Sequence, residues 1–150
     1  MATTPSFAST AKSWQAWTVP TAGGVTQTTT YTTAGLQATG SARSGANATP
    51  PTGAVLLMSA ASAGSRIDEI TFTSLGTSTA NVGRIFINNG TNVYLYKEIT
   101  IPAVTPSVSQ VAASVTTNFN NFVLATGSSV YVAIATLDSA YSVVAFGGDF

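Results

Sequence analysis

The sequence predicts an all-β protein, an antiparallel β-sandwich, and three observations lead there. Short runs of alternating apolar and polar residues recur along the last two thirds of the chain, at the spacing of successive strands. No apolar stripe of 3.6-residue period persists, and the strong helix formers Glu, Lys and Arg are scarce. Only 7% of the 150 residues are charged, with five cations balancing five anions. Ordinary soluble domains carry about 25%.

Taken in order, the chain divides near Pro50-Pro51. Residues 21–52 contain ten Thr, six Ala and five Gly, one charge (Arg43), and only Val25, Tyr31 and Leu36 as large apolar side chains. Such a stretch has little to bury against the cost of ordering its backbone. Its threonines favour extended conformations. Residues 1–52 are therefore expected to form an extended arm with one or two short strands. Within it, Trp14 and Trp17 have little local core to fill. Tryptophan buries a large area while keeping a polar tip, so both are candidate anchors of the arm on a partner or on the main domain.

The main domain is expected over 53–150. Gly53–Ala61 is an apolar run of strand length. In Arg66–Leu75, Ile70 and Phe72 share one face and Thr71 and Thr73 the other. Val82–Asn88 sets Gly83, Ile85 and Ile87 against Val82, Arg84 and Phe86. Asn88–Thr91 reads as a turn, because Asn-Gly tolerates positive φ. Val93–Ile101 returns as the partner strand of a hairpin. Strict alternation puts Val93, Leu95, Lys97, Ile99 and Ile101 on one face, and Tyr94, Tyr96, Glu98 and Thr100 on the other. Pro102 and Pro106 end that strand. Ser107–Val115 and Phe119–Leu124 are weaker strands and Ser128–Thr136 a strong one. Ala140–Phe146 is the last, stopped by Gly147-Gly148. Seven or eight strands without helices suit a sandwich or barrel, and an antiparallel jelly roll is the expected form.

Composition also narrows the chemistry. The chain has no His and no Cys, which removes disulfides, thiol nucleophiles, imidazole bases and Cys/His zinc sites. A Ser–Lys pair would have to use Lys12 or Lys97. Asp68, Glu69, Glu98, Asp138 and Asp149 could in principle pair for glycoside hydrolysis, but cross-strand ion pairs with Arg66, Arg84 or Lys97 are the simpler expectation. No Asp-x-Asp loop suggests calcium, and no glycine-rich strand–loop–helix suggests a phosphate site. No catalytic residue, metal or cofactor is expected, and the protein is not expected to be an enzyme. Five scattered cations give no field for nucleic acid. No run reaches the length of a membrane helix and the N-terminus lacks a secretory pattern, so synthesis in a cytoplasm without export is expected. Asn47-Ala48-Thr49 and Asn89-Gly90-Thr91 then read as turns rather than glycosylation sites.

The charges are unevenly placed. Six of ten lie between Arg66 and Glu98, and residues 99–137 contain none. A surface so poor in charge loses little on leaving water, which favours association. Homo-oligomerisation or coverage by a partner is expected. Tyr94 and Tyr96, sharing a strand face, form a candidate sugar-stacking or partner-binding face, with Tyr31, Tyr131, Tyr141 and the amides of Asn118, Asn120 and Asn121 as further candidates.

The runs Arg66–Phe72, Ala80–Gly90, Tyr94–Pro102 and Val143–Asp149 resemble the jelly-roll structural proteins of tailed bacteriophages, over roughly residues 53–150. The resemblance lies in strands and turns, not in a catalytic signature. It implies a virion protein of the capsid decoration, or cement, type: a trimer on the outer head surface that clamps the major capsid protein, with an arm at the capsid contact. The alternatives are a receptor- or carbohydrate-binding module of a tail or fibre, and a neck or tail component.

Overall fold

The computed structural model describes residues 10–18, 50–51, 54–136 and 138–150, with side chains throughout except those of 10–18 and 121. Among the described residues there are eight strands: β1 (Thr10–Thr18), β2 (Val55–Ser59), β3 (Ser65–Ser74), β4 (Asn81–Asn88), β5 (Val93–Ile101), β6 (Ser114–Leu124), β7 (Ser129–Ile134) and β8 (Tyr141–Asp149). There is no helix among the described residues. The strands form two four-stranded antiparallel sheets, in the orders β1-β8-β3-β6 and β2-β7-β4-β5.

The alternation read from the sequence explains which side of each strand is buried. Ile67, Ile70 and Phe72 from β3, Val143 and Ala145 from β8, Ile85 from β4, and Val130, Val132 and Ile134 from β7 are all fully buried in one cluster drawn from both sheets. Each Val, Ile or Phe side chain among them contributes about 1.5–3 kcal/mol on burial. A second, smaller cluster of Phe86, Val93 and Ala133, with Ala54, Val55, Leu95 and Tyr131 against it, is separate from the first. Phe86 and Ala133 alternate with Ile85 and Val132, so this cluster occupies the opposite face of the second sheet.

Several strands depart from the alternation. In β5, Lys97 pairs with Ile85 and Leu95 with Phe86, so Tyr96 is an extra, bulged residue. The bulge reverses the faces. Val93 joins the second cluster with Leu95 against it, whereas Ile101 is in the main core with Ile99 against it. The single apolar face expected for β5 is thus split in two. In β3, Asp68 alone faces three residues of β6, because Ile67 pairs with Phe122 and Glu69 with Asn118. Asn120, inside that wide bulge, has φ 50°, a conformation that Asn tolerates better than most residues.

Two strand assignments also differ. Residues 107–113 form a loop, and one long strand, β6, spans the second weak candidate and the end of the first. Strand β8 runs through Gly147 and Gly148 instead of stopping before them. The loop between β4 and β5 holds the four residues 89–92, between the strand ends expected at Asn88 and Val93. Asn89 Oδ1 accepts from the amides of Thr91 (3.0 Å) and Asn92 (2.8 Å), while Gly90 supplies the positive φ of 89°. In the segment read as an arm, Thr10–Thr18 is a regular strand paired with β8 from Thr10↔Asp149 to Thr18↔Tyr141. The remainder of 1–49, Tyr31 included, lies outside the described residues.

Candidate functional site

The two bulges meet. Strands β5 and β6 are the outer strands of their sheets, and their irregular segments bring Tyr96 onto Phe119 and Phe122. The Tyr96 ring stacks on Phe119 at 5.5 Å between centroids and 16° between planes. It lies 5.0 Å from Phe122, tilted by 44°. Phe119 and Phe122 are 6.1 Å apart, and Lys97 Nζ sits 5.9 Å from the Phe119 centroid, within reach of a cation–π attraction. Phe119 is buried, whereas Tyr96 stays 45% exposed. The arrangement is an aromatic plug at the margin where one sheet passes to the other, with a ring and a cation open to solvent.

The plug's two phenylalanines were not legible as site residues. Three positions apart on a regular strand, Phe119 and Phe122 would point to opposite faces. The available signal was the run of Asn118, Asn120 and Asn121 around them, since Asn residues tolerate the left-handed conformation that a bulge can require. Tyr94, the other half of the expected tyrosine face, is not part of the stack. It pairs with Ile87, is 40% exposed, and its hydroxyl accepts a hydrogen bond from Asn92 Nδ2 at 3.3 Å. Tyr94 lies in the regular ladder, whereas Tyr96 is itself the extra residue of the bulge. Substituting each with Ala separates their roles. Tyr96→Ala is expected to cost about 1–2 kcal/mol through the lost ring contacts, and Tyr94→Ala less than about 0.5 kcal/mol. Equal shifts in thermal melting would show that the stack does not hold the margin together.

The two further aromatic candidates among the described residues, Tyr131 and Tyr141, are set in different apolar clusters. Tyr131 is half-buried against the second cluster. Tyr141 is fully buried and belongs to a polar network at one end of the sheets. Asp138 Oδ2 accepts from the Thr79 amide (2.6 Å) and the Thr79 hydroxyl (2.8 Å), and its Oδ1 accepts from Asn81 Nδ2 (2.9 Å) and the Tyr141 hydroxyl (3.0 Å). Asn81 Nδ2 also donates to Thr136 O (2.7 Å), and Asn81 Oδ1 accepts from the amides of Val82 (2.8 Å) and Thr136 (3.0 Å). Burial acts to raise the Asp138 carboxyl, but the donors from Thr79, Tyr141 and its own backbone outweigh it and hold it below its ordinary range. The Tyr141 hydroxyl is pushed up to about 12, chiefly by burial, against the lowering contact from Asn81, with the charge of Asp138 and the bond donated to it adding to the rise. Every one of these groups acts to fix chain segments to one another.

The remaining carboxylates are paired or strand-bound. Glu98 Oε1 lies 2.9 Å from Arg84 Nε across β4 and β5, a cross-strand ion pair. Asp68 lies 2.8 Å from Arg66 Nε along its own strand. Asp149 accepts from the buried Ser65 hydroxyl at 2.6 Å. Glu69 sits opposite Asn118 and Phe146. Asn118 and Asn120 are exposed near the plug, and the Asn121 side chain lies outside the described residues. Among the described residues no three His, Cys, Asp or Glu side chains gather as metal ligands, and no helix is long and apolar enough to cross a membrane. The backbones of Trp14 and Trp17 pair with Ala145 and Ser142; their side chains, and with them the anchor role, lie outside the described residues. No family model, curated protein or solved structure matches the chain.

The first sheet presents a second surface. On its outward side Thr71 Oγ1 and Thr116 Oγ1 are 2.7 Å apart, and Thr73 Oγ1 and Ser114 Oγ 3.0 Å apart. Val144 and Ser142 continue these two rows on β8, and Phe146, in the next row, is 46% exposed. This face is built from hydroxyls and small apolar groups, with Glu69 as the charge in the neighbouring row.

Proposed function

We propose that the protein is a virion structural protein of a tailed bacteriophage, a capsid decoration or cement protein. In this reading a jelly-roll sandwich with an N-terminal arm self-associates as a trimer on the outer head surface and stabilises the lattice of the major capsid protein. It has no catalytic role. The observation that carries the reading is the strand pairing. Rolling up one antiparallel ribbon of eight strands pairs first with last, second with seventh, third with sixth and fourth with fifth. The pairs β1·β8, β2·β7, β3·β6 and β4·β5 follow that order, and the jelly roll is a recurrent architecture of viral capsid domains.

The surface supports the same reading. Paired hydroxyls and an uncharged span from 99 to 137 leave little to desolvate on contact. Trp14 and Trp17, in the part of the expected arm that forms β1, are proposed as its anchors on the capsid. A protein that binds the assembled lattice and not the free subunit stabilises the lattice by mass action. Several weak contacts on one trimer reinforce each other through effective concentration. The test is cosedimentation of the full chain with empty capsid shells and with isolated tails, followed by thermal melting of the shells with and without it. The expected result is binding to shells at a copy number that follows the lattice, with a raised melting temperature. Binding at neck or tail symmetry, or unchanged shell melting, would overturn the cementing role.

A second reading is favoured by the half-exposed Tyr96 ring beside Lys97. Such a ring is suited to stacking on sugar, as in a receptor- or carbohydrate-binding module of a tail or fibre. Glycan-array binding lost in Tyr96→Ala, without shell binding, would select it.

A further inference from the structure

We infer that the open edge of β6 is a self-pairing surface, on which a second copy of this chain adds its own β6 antiparallel about a two-fold axis at Thr116. The register with β3 shows which backbone groups are available. Ser74 N donates to Ala113 O at 2.8 Å, so Ala113 and Ser74 form a hydrogen-bonded position of the antiparallel ladder. The alternate residues Val115 and Thr117 therefore bond to β3, while Ser114, Thr116 and Asn118 turn their N–H and C=O groups away from it. The short hydroxyl contacts Thr71–Thr116 and Thr73–Ser114 agree, because non-hydrogen-bonded positions bring opposing side chains closest. All three outward residues are exposed, and β6 ends its sheet.

This edge lacks the usual defences. Ser114–Asn118 contains no charge and no proline, the two residue types that most often block strand addition. The other described edges with side chains are protected: β5 carries Lys97, Glu98 and the Tyr96 bulge, and β2 is five residues long with a bulge at Leu57. The bulge of β6 begins only at Phe119, and among the described residues no strand pairs with the five flat residues before it on the side away from β3.

The occupant follows from the match of that segment to itself. About a two-fold at Thr116, Thr116 faces Thr116 of the second copy and Ser114 faces Asn118. Every outward donor and acceptor of the three residues is then used on both chains. The rows of threonine hydroxyls run on across the seam, from Thr71 through the two Thr116 side chains to the second Thr71. No ionised group leaves water. The contact is isologous and closes at two copies, a strand addition of the kind used in β-augmentation. It stands apart from the virion reading, which concerns what the assembled copies bind.

The experiment is sedimentation equilibrium of the full chain over a concentration series, with Thr116→Lys and Thr116→Glu. Circular dichroism and melting establish that each variant folds. Each variant alone sets like charges face to face on the axis and is expected to associate about five- to tenfold more weakly. An equimolar mixture sets Lys against Glu and is expected to recover the wild-type association. Thr116→Ser is expected to change nothing. A monomeric wild type, association unchanged in both charged variants, or a mixture that does not recover would each overturn the inference. If charge-swap recovery holds while capsid shells are not bound, the edge contact stands and the cement reading falls. If shells are bound while the charged variants associate normally, the reverse is true.

Discussion

Gly147→Ala is expected to destabilise the protein by about 3 kcal/mol or more, a drop in melting temperature of roughly 10 °C for a chain of this size. Gly147 lies in the middle of the first sheet, paired with Lys12 of β1 on one side and Ile67 of β3 on the other. A Cβ there would overlap the carbonyl oxygen of Arg66 and sit 2.9 Å from Arg66 C and 3.1 Å from Ile67 Cα. These are backbone atoms of a central strand, and they have no rotamer by which to yield. The cause is the Asp68 bulge, which starts one residue further along β3 and draws that strand close to β8. Gly83→Ala is the informative comparison. The three atoms nearest its Cβ would all belong to the Phe72 ring, at 3.1–3.3 Å, so Phe72→Leu is expected to relieve much of the strain. The same second change is expected to do nothing for Gly147→Ala. A Gly147→Ala protein that melts within about 2 °C of wild type would show that β8 does not need a glycine at that crossing.

Asp138→Ala is expected to cost about 3 kcal/mol near neutral pH, or roughly 6–12 °C in melting temperature. It removes the acceptor shared by the Thr79 amide, the Thr79 hydroxyl, Asn81 Nδ2 and the Tyr141 hydroxyl. The pH dependence has a definite sign at each end. The Asp138 carboxyl is held below its unfolded value of 3.8. Its contribution is therefore complete above that value and is lost as pH falls through the lower folded value. Tyr141 moves the other way, from 10.0 to about 12. Its contribution is complete below pH 10 and is lost as pH rises towards 12. Removing Asp138 removes two of the causes that raise the Tyr141 hydroxyl, so the tyrosine should ionise closer to its ordinary value. Melting curves against pH, with an ultraviolet titration of tyrosine ionisation, check both. An alkaline transition unchanged in Asp138→Ala would show that Asp138 does not govern Tyr141.

Much of the fold was legible because alternation is a local property. Ile70 and Phe72 against Thr71 and Thr73, or Ile85 and Ile87 against Arg84 and Phe86, announce a strand and its buried side within a few residues. The candidate site was far less legible. Tyr96 was visible as an aromatic on a strand, but its partners, Phe119 and Phe122, come from the opposite sheet. They reach it only because β6 bulges by three residues against one.

The sequence by itself determined that the chain is built of strands, that it has neither imidazole nor thiol, and that a long uncharged span falls in its second half. These are matters of composition and of period-two pattern. Tertiary structure alone decided the faces of β5, the recruitment of Thr10–Thr18 to β8, the passage of β8 through Gly147 and the open edge of β6. The physical reason is that a bulge or a strand's neighbour is set by pairing with residues far away in the chain. A shift of one residue in that pairing moves every following side chain to the other face.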